Sequence, residues 1–206
     1  MIRSLRPSTA VILLSAVLLS ACAGRDDRPR LDNVSLMNGP KLFSTASDFK
    51  ERKQYREAAQ GFSLMAGWGR GWEVAQYQLG VCLLAIADNP AANDSPKDLR
   101  REAFVWIKLA ADSGNKSAQS RLALMLRDGI GISPDLQEAA RYAILAEQGS
   151  GDIPLVRSAA EAEVSANLQQ RLKPADWDEA KRLARNFSPI IQSARQPTPG
   201  TRPTKN

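Results

Sequence analysis

Histidine is absent from the 206 residues, which removes at once the commonest general base and the commonest metal ligand. Catalysis would need carboxylates, lysine or serine, and no nucleophile stands at a spacing that pairs it with a base. The two cysteines, Cys22 and Cys82, build no disulfide framework. Cys82 lies between Val81 and Leu83 with no basic neighbour in sequence, which makes it a small hydrophobe rather than a redox thiol. The acidic pair Asp135 and Glu138 precedes an apolar run. It reads as a capping box, each side chain accepting from the other's backbone N–H, rather than as an acid and a base. Trp68 and Trp72, in a glycine-rich turn, offer a stacking platform, but such rings more often close the groove between adjacent helices. The expectation is therefore no catalytic residue, no cofactor and no metal.

Cys22 is the residue with chemistry ahead of it. Arg3 and Arg6, an apolar stretch over residues 10–19 and the small pair Ser20-Ala21 form the three-part layout of a secretory signal over residues 1–21. The apolar run is too short to span a bilayer, which takes roughly 20 residues. Leu19-Ser20-Ala21-Cys22 resembles the bacterial lipobox. That resemblance implies a diacylglyceryl group on the Cys22 sulfur and cleavage to leave Cys22 as the N-terminus; the alternative is an ordinary secretory peptide ending beside a cysteine. Several acyl chains give stable anchoring where one does not. Ala23, rather than Asp, follows the cysteine, so the resemblance favours the outer membrane of a bacterial envelope, with the protein facing the periplasm. Residues 22–40 are polar, lack a helical stripe, and form a flexible linker with a reach of about 25 Å.

The elements beyond the linker repeat. Glu102-Ala103 opens an apolar helical run through Trp106, Leu109, Ala110 and Ala111, stopped at Ser113-Gly114; the pattern restarts at Glu138-Ala139 and continues through Tyr142, Leu145 and Ala146 to Gly149. Residues 118–126 echo residues 75–83 position by position. A fixed period of this size signals a repeat architecture. Helical patterning starts at Lys41, breaks at Lys53-Gln54, resumes at Tyr55 and returns over residues 75–87. Residues 88–97 lengthen the next loop, after which Ser95 with Pro96 at the first position, or Asp98, caps a helix. Pro154 opens a helix reaching Leu172, and a terminal helix carries Trp177, Ala180, Leu183, Ala184 and Phe187 with a polar outer side. The fold expected is all-α, a short α-solenoid of about eight helices over residues 41–187. A disordered basic tail rich in Pro and Thr follows over residues 188–206.

Ala118 to Leu126, Gly129-Ile130-Gly131, Asp135, Ala139-Ala140, Tyr142, Ala146 and Gly149 resemble the Sel-1-like repeat, a relative of the tetratricopeptide repeat. Ala123 stands where that family favours Gly, and Glu147 where it favours Ala. The resemblance implies a solenoid that binds a protein or peptide partner and does no chemistry of its own. It also implies that the first helix of each unit lines the inner curve. Gln76 with Gln119, Tyr77 with Ser120, and Gln78 with Arg121 then fall at equivalent places, and the six residues are the candidate partner-binding strip.

Charge adds little. The net +6 becomes +4 once Arg3 and Arg6 are removed, and Arg195, Arg202 and Lys205 belong to the tail, where they read as a solvated end or as a contact with anionic lipid. No compact basic stripe with interleaved aromatics appears, and an exported chain does not meet nucleic acid. The expected function is a membrane-tethered periplasmic interaction scaffold rather than a catalyst. The alternatives are an envelope-associated enzyme regulator and a structural envelope protein.

Overall fold

The computed structural model describes residues 38–69, 71–91, 93–148 and 159–191. The expected export signal, Cys22, the linker up to residue 37 and most of the tail lie outside the described residues. Eight α-helices, and no strand, are found among the residues described.

Local chemistry sets most of their limits. α1 (Gly39–Glu51) opens at Asn38, whose side chain accepts from the Lys41 N–H at 3.1 Å, with Pro40 in the first turn, where a missing N–H costs nothing. The helix therefore starts ahead of Lys41: the cap, not the apolar stripe, decides. After it Lys53 takes a φ of 60°, and α2 (Tyr55–Ala66) begins. α3 (Glu73–Asp88) follows. α4 (Pro96–Asp112) is capped by Ser95, which accepts from the Asp98 N–H at 3.4 Å, so of the two candidate caps Ser95 is the one used. α5 (Lys116–Asp128) runs from Asn115, which accepts from the Ala118 N–H at 2.9 Å, to Gly129 at a left-handed φ of 73°.

α6 (Leu136–Glu147) is capped by Asp135, which accepts from the Glu138 N–H at 2.9 Å. The other half of the expected capping box is not made. The Asp135 N–H donates instead to the Leu126 carbonyl at 2.9 Å, and the Glu138 carboxylate takes both arms of the Arg141 guanidinium, a stronger, charged partner. α7 (Ala159–Arg171) is described only from Ala159, so Pro154 and Leu155 of the expected helix lie outside the described residues. α8 (Pro174–Arg185) has proline at its first position.

Each helix from α1 to α6 packs on the next, α7 packs on α5 and α6, and α8 packs on α6. Chain neighbours thus stack as helix pairs, the arrangement of an α-solenoid. A single buried cluster runs from Leu42 to Ala184. Much of it is alanine (Ala46, Ala58, Ala75, Ala103, Ala110, Ala118, Ala139), which lets backbones approach closely. Gly80 marks a close approach of α3 to α4: a Cβ there would lie 2.4 Å from Ile107 Cγ1.

The tail does not begin free at Ser188. Pro189 lies over Gly114, and the Ile190 N–H donates to the Asp112 carbonyl at 2.8 Å, so Pro189 and Ile190 are held across the turn between α4 and α5.

Candidate interaction surface

The expected binding strip divides into two parts. Gln76, Gln119 and Ser120 are buried, at 0%, 0% and 1% exposure, and so present nothing to a partner. The two glutamines share one task. Gln76 Nε2 donates to the Ala66 carbonyl at 2.9 Å, and Gln119 Nε2 donates to the Ala111 carbonyl at 3.1 Å. Ala66 is the last residue of α2 and Ala111 lies in the final turn of α4, where carbonyls have no intrahelical donor. Each glutamine therefore ties the first helix of one unit to the end of the unit before it. Their recurrence in sequence reflects a joint, not a surface.

Tyr77, Gln78 and Arg121 are half-buried and keep an accessible edge. Tyr77 packs partly against the core. Gln78 Oε1 accepts from Lys50 Nζ at 2.7 Å, which brings α1 beside α3. These three residues, on the first helices of successive units, are what remains of the strip.

Cys82, Trp68, Trp72 and Tyr142 serve packing. Cys82 is fully buried, and burial pushes its thiol up to about 11, with a smaller opposing effect from Lys50. Trp68 and Trp72 meet edge to face at 4.7 Å, and both pack on the core; a Cβ at Gly39 would lie within 2.3 Å of the Trp72 ring, so the pair closes over the start of α1. Tyr142 is fully buried and its hydroxyl donates to the Asp112 carboxylate, which also accepts from Lys108 Nζ at 2.6 Å. Arg141 lies 4.4 Å from the Tyr142 ring centre, a cation–π contact. Burial first, and then the bond to Asp112, push the Tyr142 phenol far above its ordinary range. The group is a neutral strut between α4 and α6, not a base. Among the described residues no three His, Cys, Asp or Glu are grouped to hold a metal. No described helix is long and apolar enough to cross a membrane.

Lys50, which bonds Gln78, and the glutamine joints were not foreseen from the sequence. A signal for the joints was present: a glutamine early in a helix, just after a turn, lies beside the carbonyls that the preceding helix leaves unpaired.

The Sel1 repeat family matches residues 74–115 and 116–150, so one unit is α3 with α4 and the next is α5 with α6. No curated protein matches the chain. Among solved structures, it is similar to a protective antigen present in uropathogenic Escherichia coli strains that displays an SLR fold, at 17% identity and a TM-score of 0.59. The similarity covers 75% of this chain but only 30% of that one, so the chain spans about a third of the antigen's length. At that identity the likeness carries the fold alone.

Proposed function

We propose that this Sel-1-like repeat protein is a scaffold that holds a partner protein or peptide, tethered to a bacterial outer membrane through acylated Cys22 and facing the periplasm. The observation that carries the scaffold reading is the recurrence of the joint. Gln76 and Gln119 fix successive first helices in one register, so that Tyr77 and Gln78 on α3 stand in line with Arg121 on α5. Stacked equivalent positions are how repeat proteins assemble an extended recognition face. Supporting it is the fate of the reactive side chains: Cys82 and Tyr142 are buried in states unsuited to nucleophilic or basic work. The tether rests on the lipobox-like Leu19-Ser20-Ala21-Cys22 and the signal ahead of it.

Photo-crosslinking in living cells tests the scaffold. A crosslinking amino acid at Gln78 traps a partner, whereas the same group at Val105, exposed on α4, does not. Equal trapping from both positions, or none from either, would place recognition elsewhere. Metabolic labelling with a fatty-acid analogue tests the tether: Cys22→Ser takes up no label and leaves the membrane fraction. A labelled Cys22→Ser protein would end the lipoprotein reading.

A further inference from the structure

The seven-residue loop from Gly129 to Asp135 folds back on the first turns of α4 and forms with them an open pocket of about 470 Å³ lined by Lys97, Arg100, Arg101, Gly129, Gly131, Ile132 and Ser133. The loop comes as near as a backbone can. Gly131 has a φ of 79°, and a Cβ there would lie 2.2 Å from the Arg100 carbonyl oxygen, so only glycine closes the cavity in this way. Three basic residues and a serine contribute to its lining.

How those cations are engaged sets them apart. Arg56, Arg127, Arg141 and Arg182 each grip a carboxylate through two nitrogens, on Asp94, Asp128, Glu138 and Glu179 respectively. Arg100 reaches Asp88 through one nitrogen at 3.1 Å, and Arg101 reaches Asp98 through one nitrogen at 3.3 Å. Both acids are largely exposed, at 71% and 67%. Such single surface contacts are weak and exchange readily. Lys97 pairs with no described acid. Two guanidinium forks are thus half-used beside an unpaired ammonium, and Ile132, 43% exposed, adds an apolar wall.

We propose that this cavity is the docking pocket for an acidic peptide segment of the partner, whose carboxylates displace Asp88 and Asp98 from Arg100 and Arg101 and take Lys97 as a third contact. The inference rests on the scaffold reading and names the chemistry of what the scaffold holds. Arginine forks match carboxylate geometry in bidentate fashion. The mix of cations with an exposed isoleucine suits a peptide carrying an apolar residue among its acids better than a bare inorganic anion. The site lies at the loop between the two helices of one unit, apart from Tyr77 and Gln78 on α3, so it adds a charged anchor separate from the strip already described.

The test uses the full chain in detergent and a fluorescein-labelled hexaglutamate peptide, read by anisotropy. Hexaglutamate binds, and added salt weakens it. Lys97→Ala/Arg101→Ala binds about tenfold more weakly, the effect expected from losing a charged hydrogen bond or two. Lys41→Ala/Arg185→Ala, which removes the same charge from exposed sites on α1 and α8, changes nothing, and both variants keep the helical circular dichroism. Equal weakening by the two variants would make the attraction a property of net charge and overturn the pocket. Full displacement by inorganic phosphate at matched ionic strength would make it a general anion site, and pocket-dependent binding to phosphatidylglycerol vesicles without hexaglutamate binding would make it a lipid contact; either overturns the peptide assignment. Partner trapping at Gln78 without hexaglutamate binding leaves the scaffold standing and removes this pocket. Hexaglutamate binding without trapping at Gln78 keeps this pocket and removes the first-helix strip from the recognition face.

Discussion

Replacing Gly80 by alanine is the sharpest test of how the units are held together, because two effects of opposite sign meet at one methyl group. In an open helix the change stabilises, since alanine is favoured over glycine by about 1 kcal/mol. In this chain the new Cβ would lie 2.4 Å from Ile107 Cγ1, 3.0 Å from Ile107 Cδ1 and 3.1 Å from the Ala103 carbonyl oxygen. Carbon pairs are comfortable at about 3.5–4.0 Å. Ile107 is fully buried and cannot swing into solvent, so α3 and α4 must move apart or Ile107 must leave its rotamer. Overpacking of this kind costs about 1–3 kcal/mol. The net expectation is a loss of about 1 kcal/mol, or about 2–4 °C in melting temperature for a chain of this size. Urea denaturation of the full chain measures it. The decisive control is the background: Ile107→Ala alone costs about 2–5 kcal/mol, but it removes both clashing carbons, so adding Gly80→Ala to it should stabilise. A rise in stability from Gly80→Ala in the native background, or the same sign in both backgrounds, would refute the close approach of α3 to α4.

Other expectations follow from the same geometry. Gln76→Leu strips the Ala66 carbonyl of its buried donor and costs about 1–3 kcal/mol; Gln119→Leu costs less, because its Oε1 has no partner among the described residues and its removal offsets part of the loss. Denaturation of both variants gives the order, and a larger loss at Gln119 would contradict it. The Cys82 thiol, raised to about 11 by burial, stays protonated at neutral pH, so iodoacetamide near pH 8 leaves it intact in the folded chain and alkylates it once urea unfolds the protein. Fast alkylation of the folded state would mean that the α3 packing is open. Asp94 is held below its ordinary range by Arg56 first and the Ala91 N–H second. A depressed folded pKa means that the tie between α2 and the loop after α3 is present above the ordinary carboxylate range and is lost as pH falls through the folded value. Amide protection over residues 89–95, taken relative to the intrinsic exchange rate at each pH, should therefore fall on acidification, and Asp94→Asn should show the lower protection already at neutral pH.

What was legible in the sequence is what packing repeats. The alanines, Gly80, Leu79 and Tyr142 recur at helical spacing because backbones must approach at each stacked interface, so helix number and pairing could be read directly. The caps at Ser95, Asn115 and Asp135 mark helix starts because a side-chain oxygen is needed where N–H groups lack partners. The glutamine strip was misread for a definite reason. A polar residue repeated at equivalent positions is equally consistent with a repeated surface and with a repeated buried bond, and periodicity contains no term that separates them. The carbonyls of Ala66 and Ala111 decide the matter, and their nearness to Gln76 and Gln119 depends on the angle at which the chain turns between units. The missing half of the Asp135–Glu138 box has a similar origin: Arg141 one turn along competes for the carboxylate.

These assignments also say where recognition is left to lie. In a stack of this kind the helix interiors are spoken for: small residues serve close approach, Gln76 and Gln119 serve the joints, and Tyr142 with Asp112 and Lys108 ties α4 to α6. Chemistry that is free to vary without unpicking the stack lies at the accessible edges of the helices and in the loops. The loop after α5 is the place where the two demands meet. Gly129 must end a helix with left-handed backbone and Gly131 must press on Arg100, so the loop path is fixed by packing, while Ile132 and Ser133 just beyond them are exposed. A loop whose course is dictated and whose side chains are not makes a preorganised wall, and association with it loses little conformational entropy. If so, Gly131→Ala should open the cavity and weaken hexaglutamate binding although it removes no charge, because the Arg100 backbone can no longer lie against the loop. Unchanged binding by a folded Gly131→Ala protein would show that the cations act as an unstructured patch and that the loop has no part in the site.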